Sequence, residues 1–240
     1  MSATTRAGQA AREIVAGDPG PSGRRWLGWI SLISLLLFAA DTWLVLNNSH
    51  PAFDVPLERA AQAFPWGPLA AVMTLTNASG GVGQYALGIA AVLALLVYER
   101  RAGYLMALGA LASVFDAVLK VSIGRHRPTA DLVTILNPVQ GYSYPSGHAV
   151  FFTWLCFIGA ASLAPRLSPR GRVALWAAAG AIVLLACLGR VWAGAHWPSD
   201  VAGGFLLGLA WSAFVLWLPE RWLPSPSMRW LPWRRAAARS

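Results

Sequence analysis

Charge is what this chain has least of. Of its 240 residues only 12% are charged, while 56% are hydrophobic. An ordinary soluble domain carries about a quarter of its residues as charges, so that class is excluded. Lysine is nearly absent: Lys120 is the only one, and the other basic residues are arginines. The net charge is +9, yet the arginines are scattered and build no basic amphipathic array, which argues against nucleic acid as a partner. The two cysteines, Cys156 and Cys187, fall inside apolar runs without metal-ligand spacing and read as packing residues. No internal repeat or low-complexity tract is present.

What fills the chain instead is apolar sequence in runs close to the ~20 residues that cross a bilayer. Six spans are expected, at 26–46, 82–98, 102–122, 148–165, 172–190 and 200–218. The fold class is therefore all-α, a polytopic bundle of six transmembrane helices. A single domain covers 26–219, with polar or basic tails at 1–25 and 220–240. The first apolar run has no small-residue cleavage site and reads as an uncleaved span rather than a leader.

Arginines cluster in the N-terminal tail, at Arg100 and Arg101, at Arg166, Arg170 and Arg172, and after the sixth span. The positive-inside rule puts these segments and both termini on the cytoplasmic side of a plasma (inner) membrane. The Trp- and Arg-rich tail at 224–240 reads as an interfacial anchor on anionic lipid. The 13 tryptophans lie mostly near span ends, as an aromatic belt does.

The opposite face carries 47–81, 123–147 and 191–199. In the first of these, 57–75 reads as an interfacial helix lying on the membrane. The Gly-rich "NASGGVGQ" at 77–84 lacks the Gly-Lys-Ser/Thr ending of a phosphate-binding loop and reads as a flexible connection.

Chemistry concentrates on that face. "KVSIGRHRP" supplies Lys120 and Arg127, two cations where positive charge is disfavoured, and an anionic substrate would offset them. The turn "YPSGH" supplies Ser146 as an expected N-cap, Gly147 for close backbone approach, and His148 at a helix start whose dipole suits an anion. "GRVWAGAHWPSD" adds Arg190, then His196, with Pro198 and Asp200 in the first turn of the last span. An Asp beside a His can fix its tautomer and raise its basicity. Asp116, four residues before Lys120, is placed to pair with it. His126, His50 and Asp41 are given no catalytic role.

These three segments resemble the signature of the type 2 phosphatidic acid phosphatase superfamily: K-x6-R-P, then P-S-G-H, then S-R-x5-H-x3-D. Here the matching residues are Lys120, Arg127 and Pro128; Pro145 to His148; and Arg190, His196 and Asp200. One position departs, since Gly189 stands where the family usually has Ser.

The resemblance implies a lipid phosphatase that needs no cofactor or metal. It implies His196 as the nucleophile that becomes a phosphohistidine, Asp200 as its orienting carboxylate, and His148 as general acid and then base. Lys120, Arg127, Ser146, Gly147 and Arg190 would hold the phosphate oxygens. By the same analogy a polyprenyl (undecaprenyl) diphosphate is the first substrate expected, then phosphatidic acid or phosphatidylglycerol phosphate. A lipid phosphotransferase would keep the same histidines. A non-enzymatic lipid-binding or transport protein would need the cations but not two histidines and an oriented Asp.

Overall fold

The computed structural model describes residues 21–219 with 222 and 223, so the first 20 residues and the Trp/Arg tail at 224–240 lie outside the described residues. The described residues form eight α-helices and one 3-10 turn, with no strand among them. The helices are α1 (Pro21–Asn47), α2 (Asp54–Ala63), α3 (Leu69–Ala78), α4 (Val82–Tyr98), α5 (Arg100–Ile123), α6 (Gly147–Leu163), α7 (Pro169–Trp192) and α8 (Pro198–Trp217). Each expected span corresponds to one helix, within a few residues at its ends. Pro169 and Pro198 each open a helix in the first turn, where the missing N–H costs nothing.

Five of these segments are long and apolar enough to cross a membrane. The helix α4 has 17 residues, about 26 Å at the usual rise, and reaches the length of a span only if joined to α3, from which it bends by 89°. It still returns the chain across the bundle, because α4 and α5 meet at Glu99. The protein is a multi-pass membrane protein. Its outward surface fits: Leu35, Leu36, Leu37 and Trp43 of α1 are exposed, as lipid-facing side chains are.

The helices α6 and α8 are buried over more than half their length, whereas α1, α5 and α7 are mostly open to the outside. The core around them contains Trp154, Phe151, Ile158, Met106 and Tyr144. At the end away from the loops, Arg24 donates to the Leu218 carbonyl at 2.6 Å, and Arg166 pairs with Glu99 and lies over the Tyr98 ring. The basic joints thus share one end of the bundle, and the three loop segments share the other.

Two expectations change here. The stretch 57–75 is not one helix lying on a membrane. It is split between α2 and α3 by a turn containing Pro65, Gly67 and Pro68, and Met73 of α3 is completely buried. Both short helices pack down onto the bundle and bring to the loops Asp54 of α2 and Asn77 at the end of α3. The 77–84 stretch is likewise not a free loop: it comprises the end of α3, a turn at 79–81 and the start of α4.

Candidate active site

The loop end of the bundle is organised around an arginine that the sequence does not single out. Arg125 is buried and donates to three side chains: Asp54 Oδ2 at 2.7 Å, Asp200 Oδ1 at 2.5 Å and Ser199 Oγ at 2.7 Å. Its Nε donates to the Ser49 carbonyl at 3.1 Å. Asp54 in turn accepts from the Ser199 amide and hydroxyl, at 2.9 and 2.7 Å. One guanidinium with two carboxylates therefore ties α2, the α5–α6 segment and the start of α8 together. A planar fork of donors suits that geometry, and a lysine would not reproduce it.

Asp200 is the third residue of α8, and its Oδ2 accepts the Trp197 amide at 2.9 Å. The same oxygen lies 3.4 Å from His196 Nδ1. On the other side of the ring, His196 Nε2 lies 3.0 Å from Arg127 Nη1. Arginine can only donate, so Nε2 is the acceptor and the ring proton sits on Nδ1, facing Asp200. Burial is the main influence that holds the His196 imidazole neutral, well below its ordinary pKa. The charges of Arg190, Arg127 and Lys120, and His148, act in the same direction. Arg127 itself is anchored by the carbonyls of Gly141, Tyr142 and Ala195, at 3.0, 3.0 and 2.6 Å.

The loop that presents His196 turns at Gly194, with φ +67°. A Cβ there would lie 2.2 Å from the Thr134 carbonyl oxygen, so only glycine fits both the backbone and the space.

The "YPSGH" turn meets this loop through its backbone: the Ser146 amide donates to the Asp200 carbonyl at 2.9 Å. Ser146 stands at the N-cap of α6, but its side chain makes no capping bond. The expected cap is therefore corrected: Ser146 Oγ is buried with no hydrogen-bond partner. His148 Nε2 is also buried and unpartnered, as are Arg190 Nε and, by hydrogen-bond geometry, His196 Nδ1. Buried polar atoms are normally satisfied, and since His196 Nδ1 already faces Asp200, the three left on Ser146, His148 and Arg190 mark where a polar ligand would be bound. Gly147 does permit a close approach, though by the Asp116 carboxylate: a Cβ at 147 would lie 2.9 Å from its Oδ2.

Lys120 donates to Asp116 Oδ1 at 3.3 Å and to the Pro145 carbonyl, which binds α5 to the turn. Arg190, buried, donates to Asn77 Oδ1 at 2.9 Å, and Asn77 Nδ2 donates to the Gly189 carbonyl at 3.0 Å. Gly80 abuts His148, since a Cβ there would be 2.8 Å from Cε1. The 77–84 turn thus covers the histidine and fixes the arginine. The departure at Gly189 has a local reason: a Cβ there would sit 3.1 Å from Met73 Cβ, because α3 packs directly on α7 at that point.

All eight residues expected at the site lie at this end of the bundle. His126 contributes its carbonyl, which accepts from Ser143 and Trp197, and His50 packs near the Trp197 ring. Sequence reasoning missed Arg125, Asp54, Ser199, Asn77 and Gly80. Only Asp54, an acidic residue at the head of a short helix, left a local signal.

Three comparisons bear on this arrangement. The PAP2 superfamily profile matches residues 100–224. A curated undecaprenyl-diphosphatase of Sulfolobus acidocaldarius is 27% identical over 197 residues, covering 80% of this chain and 90% of that protein. The crystal structure of a transmembrane PAP2 type phosphatidylglycerolphosphate phosphatase from Bacillus subtilis superposes with a TM-score of 0.65 at 25% identity, covering 78% of this chain and 94% of that one. LpxE of Aquifex aeolicus shares the fold, with a TM-score of 0.57 at 22% identity over 69% of this chain and 96% of its own.

Proposed function

The chain belongs to the PAP2 superfamily and is a membrane lipid phosphatase, and we propose that it removes phosphate from a polyprenyl diphosphate through a covalent intermediate on His196. The observation that carries the mechanism is the Arg127–His196–Asp200 line. It leaves the lone pair on Nε2 and the proton on Nδ1. In the proposed first step Nε2 attacks phosphorus, and the Arg127 N–H that faced it turns to a phosphate oxygen. Asp200 stabilises the imidazolium character that develops as the N–P bond forms. The P–O bond to the leaving group breaks, and His148 gives that oxygen a proton. In the second step water attacks the phosphohistidine, His148 takes a proton back, and inorganic phosphate leaves.

Lys120, Arg127, Arg190 and Ser146 Oγ hold the non-bridging oxygens, which is most of what phosphoryl transfer asks of a protein. Gly147 contributes through the free amides at the start of α6. The basic end of the bundle is read as cytoplasmic, which places this site at the outer face.

The substrate assignment is supported by the Sulfolobus relative. The Bacillus structure supports a second reading, phosphatidylglycerol phosphate. A phosphate-release panel over prenyl diphosphates, phosphatidic acid and phosphatidylglycerol phosphate in detergent separates them. Preference for the prenyl diphosphate is expected, and preference for a glycerophospholipid would replace it with the second reading.

A further inference from the structure

Glu58 has no part in the steps above, yet it lies against their supports. It follows Asp54 by one turn of α2, on the same face. It is completely buried, and neither carboxyl oxygen has a hydrogen-bond partner. The two carboxylates near it are fully engaged: Asp54 by Arg125 and Ser199, Asp200 by Arg125 and the Trp197 amide. An ionised carboxylate with no donor in a sealed site takes up a proton instead of bearing the cost of desolvation.

The groups that face it agree. Its own helix contributes Asp54, α8 contributes Asp200, and the segment after α5 contributes Arg125. One turn on, Ala61 packs against the apolar cluster of Ala149, Val191 and Val201. Arg190 of α7 is directed to Asn77. Burial above all, then Asp54 and Asp200, push the carboxyl up to about 8, against the pull of Arg125.

We propose that Glu58 is a positioning residue for the nucleophile: a carboxylic acid kept protonated so that Arg125 remains shared between Asp54 and Asp200 alone. On ionisation a third carboxylate competes for one guanidinium. Arg125 is drawn from Asp200, Asp200 loses its fixed position against His196, and turnover falls. The centre therefore carries an alkaline switch outside its reacting groups.

The test uses the full-length protein in detergent, with two variants, Glu58→Gln and Glu58→Met, each free of the titrating proton. An infrared difference spectrum, wild type minus Glu58→Gln, is expected to contain the carbonyl band of a protonated carboxylic acid at pH 7 that is gone by pH 10. Its absence at pH 7 overturns the proposal. With farnesyl diphosphate as substrate, kcat/KM of the wild type is expected to fall about tenfold per pH unit on the alkaline side. In Glu58→Gln that descending limb should move up by a unit or more. A limb at the same pH in both proteins overturns the proposal, as does a folded Glu58→Gln with no turnover at pH 7. If neither variant folds, the carboxyl is not the replaceable neutral acid described, and the proposal also fails. The kinetic arm rests on the phosphatase reading and the infrared arm does not. Lack of turnover on every lipid phosphate, with the band present, would overturn that reading and support the assignment of Glu58.

Discussion

Arg127 and His196 face each other at 3.0 Å, Nη1 to Nε2, and this contact fixes the imidazole tautomer. Because the ring is held neutral well below its usual pKa, its lone pair is available throughout the neutral range. His196→Ala should reduce phosphate release from a lipid substrate to the protein-free blank. The wild-type rate should show no rise from deprotonation of His196 as pH passes 6.5. Measurable turnover in the variant would remove His196 from the nucleophile's role.

Arg125 offers a sharper structural test. Arg125→Met leaves two buried carboxylates without their shared cation. Breaking such a pair by removing one partner costs about 3–5 kcal/mol. A large drop in the thermal midpoint in detergent is expected, with loss of turnover. Adding Asp54→Asn should recover part of the stability, since one uncompensated charge is removed. An unchanged midpoint in Arg125→Met would mean the tie is not structural.

Stability should also respond to pH through Glu58. Its folded pKa, about 8, lies above the ordinary 4.5. Between these values the unfolded chain has released a proton that the folded protein keeps. Stability is therefore expected to fall as pH rises across that window, by up to about 1.4 kcal/mol per unit, and to level off above it. Glu58→Gln should flatten this slope in pH-dependent melts. A parallel slope in the variant would assign the effect to other groups.

Tyr144 opens the "YPSGH" turn, and its hydroxyl donates to Asp41 Oδ2 at 2.9 Å and meets Thr42 Oγ1 at 2.8 Å. Tyr144→Phe leaves Asp41 without that donor inside α1. A cost of about 1–3 kcal/mol is expected. Turnover should fall with it, since the turn ending in His148 loses its tie to α1. Melting and kinetics on the same preparation check both, and a variant indistinguishable from wild type would show the bond to be dispensable.

The proposed chemistry draws its positive charge from Lys120, Arg127 and Arg190. Turnover is expected to survive EDTA treatment. Loss on chelation, restored by a single divalent ion, would mean that a metal belongs in the mechanism.

The helices were legible in the sequence because apolar runs and their basic joints are local signals. That Lys120, Arg127, His148, Arg190, His196 and Asp200 would share one end of the bundle was legible because their spacing resembles a known signature. The supports were not. Arg125 differs from any loop arginine only through Asp54 and Asp200, which are 71 and 75 residues away. Asn77 and Gly80 sat in a stretch whose glycines suggest freedom, while their partners Arg190 and His148 are remote in sequence. Ser146 looked like a helix cap, a role its residue type favours. The conformation there leaves its hydroxyl unused, and the Asp200 carbonyl takes its amide instead.

The tie between Asp54, Arg125 and Asp200 also has a meaning for how the protein is made. Synthesis delivers Asp54 and Arg125 first, and Asp200 only with α8. Until α8 is in place, Arg125 has one of its two carboxylates, and His196 lacks the one that faces its Nδ1. The centre is completed only when α8 is in place, so a chain truncated before residue 200 would hold Lys120, Arg127 and Arg190, the three cations proposed to bind phosphate, without the carboxylate that faces His196.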